Sequence, residues 1–230
     1  DAPVLYSNGY YYEDVFVSKS DPWSGKLIYS TTLGGPGTDI GYSLRVGVDG
    51  AAYVAGRAGT GFPYTRMAGE GCENSVRTAF VLKLSTSGER VEWATCLCAG
   101  AYATALALGE DGSAYVAGFY EGAVGAEAGL LGRDGTFQPR LPPPYRGKAF
   151  VVRLNPAGEL LWATWLGGNG EDKVTALEVT AEGEVVASGS TTSNTFPVVN
   201  AFQARNASGG GVSWSGDGGL EWQPRNEGLD

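Results

Sequence analysis

One pattern occurs three times in this chain, and no other feature limits its fold as much. DVFVSK from Asp14, AFVLKL from Ala79 and AFVVRL from Ala149 open the copies. A turn with Gly25, Gly88 or Gly158 follows each. The second run is KLIYSTTLGG, RVEWATCLCAG or ELLWATWLGG, with Tyr29, Trp93 and Trp162 four residues ahead of Leu33, Leu97 and Leu166. The third is IGYSLRVGVDG, YATALALGEDG or KVTALEVTAEG, and AAYVAG, SAYVAG or EVVASG closes the unit. Each copy therefore holds four short runs with period-two alternation, bounded by Gly or Asp-Gly turns, which is the signature of strands. Asp-Gly supplies the positive φ values that tight hairpins need. Glycine, at 37 of 230 residues, fits the same picture.

These features predict an all-β protein. Four antiparallel strands per copy, arrayed radially, make a β-propeller of four-stranded blades. The three copies and the strands before them give about three and a half to four blades. The predicted divisions of a single domain over residues 1–230 are N-terminal strands completing a blade (1–35) and repeats at 36–98, 99–168 and 169–230. Trp93 and Trp162 are expected to pack between neighbouring sheets, where a large ring buries most area.

A second pattern competes. GGNGEDKVT, Gly167–Thr175, fits the calcium-binding nonapeptide G-G-x-G-x-D-x-U-x of parallel β-helices. That helix needs tandem copies, because successive turns share ions. The near-copy GGPGTDIGY begins far upstream at Gly34 and lacks the apolar position, which is Gly41. The propeller explains both stretches as loops between blades. Asp39 and Asp172 remain candidate calcium ligands, against the plainer role of carboxylates capping turn amides.

Composition excludes several functions. There is no histidine, which removes imidazole bases and His-based triads. A net charge of −9 supplies no basic stripe for nucleic acid and disfavours an anionic membrane surface. No apolar run reaches membrane-spanning length. The chain begins at Asp1 without a signal peptide and reads as a mature or excised product, extracellular or on the cell surface. The cysteines are Cys72, Cys96 and Cys98. They suit one disulfide with a thiol left over, or a thiolate metal site lacking a fourth ligand. The period-two pattern puts Cys96 and Cys98 on one strand face.

The three copies resemble the bacterial SBBP propeller repeat over Asp14–Pro63, Thr78–Pro139 and Lys148–Pro197, closing in Phe62-Pro63 and Phe196-Pro197. The middle copy departs from it with TFQP at Thr136–Pro139 and with Ala101 where the others hold Asp39 and Asp172. It also has Cys98-Ala99 in place of the Gly-Gly turn. A cysteine in that rim turn can meet one in a neighbouring loop, so the resemblance implies a Cys72–Cys98 disulfide. SGDGGLEW, Ser215–Trp222, resembles the Asp-box hairpin of sialidase-type propellers. In that motif Asp217 ties the turn and Trp222 packs beneath it, as a staple and not a catalytic site.

Three to four blades leave edges to be dealt with. The chain can be part of a longer ring, close as a distorted four-bladed ring, or pair its edges with other copies. Tyr10, Tyr11, Tyr12, Trp23, Trp214 and Trp222 can stack on sugars or fill blade interfaces. The pairs Glu13/Asp14, Glu110/Asp111 and Glu171/Asp172 sit in turns, where glycoside hydrolysis would need two carboxyls facing across a cleft. Asn206 opens a glycosylation sequon. The expected function is a non-catalytic extracellular structural or binding propeller without a cofactor, whose partner is another protein or copies of itself. The alternative is a carbohydrate-binding or glycan-processing propeller.

Overall fold

The computed structural model describes residues 12–69, 71–72, 75–122, 136–143, 146–203, 212–214 and 223–225. The fold is all-β, with no α-helix among those residues. In chain order the strands are β1 (Val15–Ser20), β2 (Leu27–Leu33), β3 (Ile40–Val46), β4 (Ala52–Ala58) and β5 (Arg66–Met67). Next come β6 (Thr78–Leu84), β7 (Val91–Ala99), β8 (Ala101–Leu108), β9 (Ala114–Tyr120), β10 (Lys148–Leu154) and β11 (Leu160–Leu166). The last are β12 (Asp172–Val179), β13 (Val185–Thr191), β14 (Val212–Trp214) and β15 (Gln223–Arg225).

Hydrogen bonding groups these strands in a regular phase. A two-stranded sheet, β1-β2, precedes a full sheet ordered β3-β4-β6-β7 with β5 added at its outer edge. A second full sheet, β8-β9-β10-β11, and a two-stranded sheet, β12-β13, follow. All of these strand pairs are antiparallel except β5 with β7. β14 and β15 pair with each other in a sheet of their own.

Three apolar layers join the sheets face to face. Val15, Val17, Tyr29 and Leu33 of the first two-stranded sheet pack on Val54, Phe80, Leu82 and Ala94 of the first full sheet. The opposite face of that sheet, with Val81, Trp93 and Leu97, meets Leu106, Val116, Phe150 and Trp165 of the second. Tyr115, Val151, Trp162 and Leu166 then meet Val174, Leu177 and Val185. Each fully buried Leu, Val or Phe contributes about 1.5–3 kcal/mol. Trp93 and Trp162 thus sit in successive sheet interfaces, edge-on to Tyr53 at 5.9 Å and to Tyr115 at 6.2 Å.

A bulge recurs with a glycine opposite it. The first strand of each unit slips register between Gly41 and Ser43, Ala103 and Ala105, or Val174 and Ala176. The facing glycines are Gly56, Gly118 and Gly189, where a Cβ would run into the carbonyl oxygen of Ile40, Tyr102 or Lys173. The glycine of the AG or SG ending is therefore the residue that lets the bulged strand approach.

The disulfide corrects the sequence expectation: Cys72 is bonded to Cys96, not Cys98, with Cα atoms 6.2 Å apart. A bulge is again the reason. β6 residues Ala79 and Phe80 pair with Cys98 and Cys96, leaving Leu97 as the extra residue. Leu97 and Cys98 both enter the layer between the full sheets, so the alternation that put both thiols on one face is broken. Cys98 is buried in that layer, with its Sγ 3.4 Å from the Ala99 carbonyl. Cys96 is left to the segment that returns through β5, which hydrogen-bonds along β7 through Thr65 and Ala68.

Candidate functional site

The turns leading into β3 and β12 bring chemistry-bearing side chains to one rim. Asp39 and Asp172 hold equivalent places there, and both are completely buried. Asp39 accepts the Gly35 N–H at 2.7 Å on one oxygen and the Gly59 N–H at 2.8 Å on the other. Its own N–H donates to Glu13 O at 2.6 Å. Asp172 accepts the Gly168 N–H at 3.0 Å and the hydroxyls of Thr191 at 2.5 Å and Ser193 at 2.8 Å. Each carboxylate therefore ties the turn before its own strand to the segment that ends the partner strand.

The residue facing each of these positions from the preceding sheet differs. Lys148 Nζ lies 3.5 Å from Asp172 with both side chains fully buried, and it also donates to the Gly170 carbonyl. At the equivalent place Asp14 faces Asp39, the two carboxylates flanking Gly34. In the middle copy the corresponding residues are Thr78, which donates its hydroxyl to Ala58 O, and the uncharged Ala101. Lys148 was not singled out from sequence, because a lysine opening a strand reads as a solvated residue. Its signal lay in the comparison of copies, where both positions are charged in the first and third copies and neither is charged in the middle one.

A calcium shell needs six to eight oxygens, and the bonds of both carboxylates among the described residues run to donors instead. At Asp172 the lysine ammonium already supplies the positive charge, and at Asp39 both oxygens are spent on loop amides. Among the described residues no group of three or more His, Cys, Asp or Glu could hold a metal ion.

Burial pushes the Asp39 carboxyl above the usual aspartate range, and the nearby Asp14 charge adds to the rise. Between the ordinary and the raised value the folded state therefore binds a proton more tightly than the unfolded chain does. That contribution to stability is fully present below the ordinary aspartate value and is lost as pH rises through the elevated one. Melting at a series of pH values upward from 4 is expected to show this decline, and Asp39→Asn to flatten it.

Beside these acids runs a row of rings and cations. Tyr102 and Phe119, paired across β8 and β9, stack with centroids 4.8 Å apart. Arg57 lies 5.8 Å over Tyr102, and Lys173 lies 4.8 Å over Phe119. The Tyr102 hydroxyl donates to Glu121 at 3.1 Å, and Arg77 bonds the same carboxylate at 3.0 Å. Tyr102 therefore has Phe119 on its ring and Arg57 over it. Tyr42, 6.3 Å from Tyr102, is more exposed and lines a cleft of about 550 Å³ with Asp14, Asp39, Phe16 and Leu44.

The other expected site residues are dispersed. Asp111 is held by the Ser113 N–H and by Arg153 at 2.7 Å, which commits its carboxylate to the hairpin tip. Trp23 stands exposed on the turn between β1 and β2. Asn206, Asp217, Trp222, Tyr10 and Tyr11 lie outside the described residues, as does the side chain of Trp214. No family model matches the chain, and no curated protein matches it.

Proposed function

We propose that the chain is a non-catalytic β-propeller module, extracellular or on the cell surface, that acts by binding a protein partner or its own copies. The observation that carries this reading is the commitment of the rim charges to structure. Asp39, Asp172 and Lys148 are buried and spend their polar atoms on neighbouring loops, so they weld units together and face no substrate.

The radial arrangement has its own support. Arg45 of β3 and Glu178 of β12 approach to 3.6 Å although a whole sheet lies between theirs. Sheets stacked flat at about 10 Å would hold those strands roughly 20 Å apart. Convergence at the β3, β8 and β12 edges, with the opposite edges splayed, accounts for the pair. The likeness of the copies to the SBBP repeat and of Ser215–Trp222 to the Asp-box agrees with it. The Cys72–Cys96 bond fits an oxidising compartment. Solution scattering from the purified chain tests the architecture: a disc-shaped profile is expected, and a rod of stacked sheets overturns it.

A second reading, glycan binding, is favoured by one feature, the cleft where Tyr42 stands near Asp14 and Asp39. A glycan array and chromogenic glycosides are expected to give neither binding nor hydrolysis. A glycan signal that falls at least tenfold in Tyr42→Ala would replace the first reading with this one.

A further inference from the structure

We propose that β12-β13 of one copy and β1-β2 of a second copy join into a single four-stranded blade, so that two chains close a six-bladed ring. This rests on the propeller reading above. In both full sheets the first hairpin of the unit pairs with the second: β4 with β6, and β9 with β10. Among the described residues β12-β13 is a first hairpin with no second bonded to it, β14-β15 standing as a separate sheet, and β1-β2 is a second hairpin with no first bonded to it. They lie at opposite ends of the stack, with both full sheets between them.

Three separate features of the full sheets are each split between these two ends. The first is an aromatic in a glycine seat. Phe80 and Phe150 stand opposite Gly56 and Gly118 and are fully buried, and Phe80 packs on Phe62 at 4.7 Å. Phe16, at the same place in β1, is 73% exposed. Gly189 and Phe196, the counterparts of Gly56 and Phe62, line a cleft of about 190 Å³ with Ala149, Leu166 and Val174.

The second is a turn glycine seated on a ring. A Cβ on Gly88 would enter the ring of Tyr29, and one on Gly158 the ring of Trp93. Trp162 is the next ring in this series, and the remaining turn glycine, Gly25, has nothing within 4 Å of where a Cβ would stand.

The third is an ion pair. Lys83 holds Asp49 at 2.8 Å and Arg153 holds Asp111 at 2.7 Å, each joining the second hairpin to the tip of the first. Lys19 and Glu182 occupy those positions at the two ends, and both are exposed. Carrying the register of the full sheets across pairs Thr191 with Asp14, Gly189 with Phe16, Ala187 with Ser18 and Val185 with Ser20.

Closure selects the number of copies. Leaving β5, β14 and β15 aside, the chain carries strands for three blades. Natural propellers use four to eight blades, so one copy falls short at three, two copies give six, and three copies overshoot at nine. The result is a two-fold assembly with two identical junctions, each made of unlike surfaces.

Light scattering and sedimentation of the full chain are expected to give twice the mass of one chain. Phe16→Glu should halve that mass and leave far-UV circular dichroism unchanged, since Phe16 is exposed in the single chain. Copies carrying Ser18→Cys, mixed with copies carrying Ala187→Cys, should form a linked dimer on oxidation that neither forms alone. A single-chain mass at every concentration overturns the proposal, and so does a dimer that Phe16→Glu leaves intact or that fails to cross-link at these positions. A single-chain mass with a disc-shaped scattering profile rejects the junction and leaves the propeller reading standing. A rod-shaped profile rejects both.

Discussion

Asp172→Ala should destabilise the protein by about 3–5 kcal/mol, the cost of stranding a buried charge whose partner has gone. Lys148 is fully buried and has Asp172 3.5 Å away. Without that carboxylate its ammonium keeps only the Gly170 carbonyl among the bonds described here, and the Gly168 N–H and the Thr191 and Ser193 hydroxyls lose their acceptor. Thermal melting should fall by roughly 6–20 °C for a chain of this size. The double variant Lys148→Met/Asp172→Asn should recover much of the loss, because removing both charges removes the desolvation cost as well. The corresponding positions of the middle copy, Thr78 and Ala101, are already uncharged. If Asp172→Ala melts like the parent, Asp172 does not hold its loops and the structural role given to it fails.

Cys72→Ser should cost about 3 kcal/mol, from the loop closed by a bond between residues 24 apart. The expected fall in Tm is roughly 6–12 °C. Cys98→Ala is the control. It trims a buried side chain and leaves the cross-link, so non-reducing peptide mapping should still return the Cys72–Cys96 peptide. A map that joins Cys72 to Cys98 would reject the register of β6 with β7 described here.

The strands and their grouping were legible because each rests on local chemistry. Alternation marks β1, the repeat itself marks β4, β6 and β10, which are buried on both faces along most of their length, and the Asp-Gly tips at Asp49 and Asp111 mark the hairpins. The turn-capping role of Asp39 and Asp172 was also readable as an option, since a short acid after a Gly-Gly loop commonly takes turn amides. The cysteine pairing was not readable. A single extra residue, Leu97, reverses which face Cys98 takes, and no composition rule announces a bulge at that point. Nor was β5, only two residues long, whose place is fixed by backbone bonds to β7 rather than by any pattern of its own. Lys148 escaped because burial of its charge depends on a partner in the neighbouring sheet, a contact that spacing along the chain does not reveal.

The outer borders of the two full sheets are both occupied by a returning loop. Thr65 and Ala68 take the Ala94 and Cys96 carbonyls of β7, while Gln138 accepts the Trp165 N–H of β11 with its carbonyl and bonds Gly167 through its side chain. Open borders of this kind are where cross-β aggregation usually seeds. With those amides and carbonyls already engaged, a chain this poor in charge can be crowded at a surface without its broadest sheets zipping onto one another.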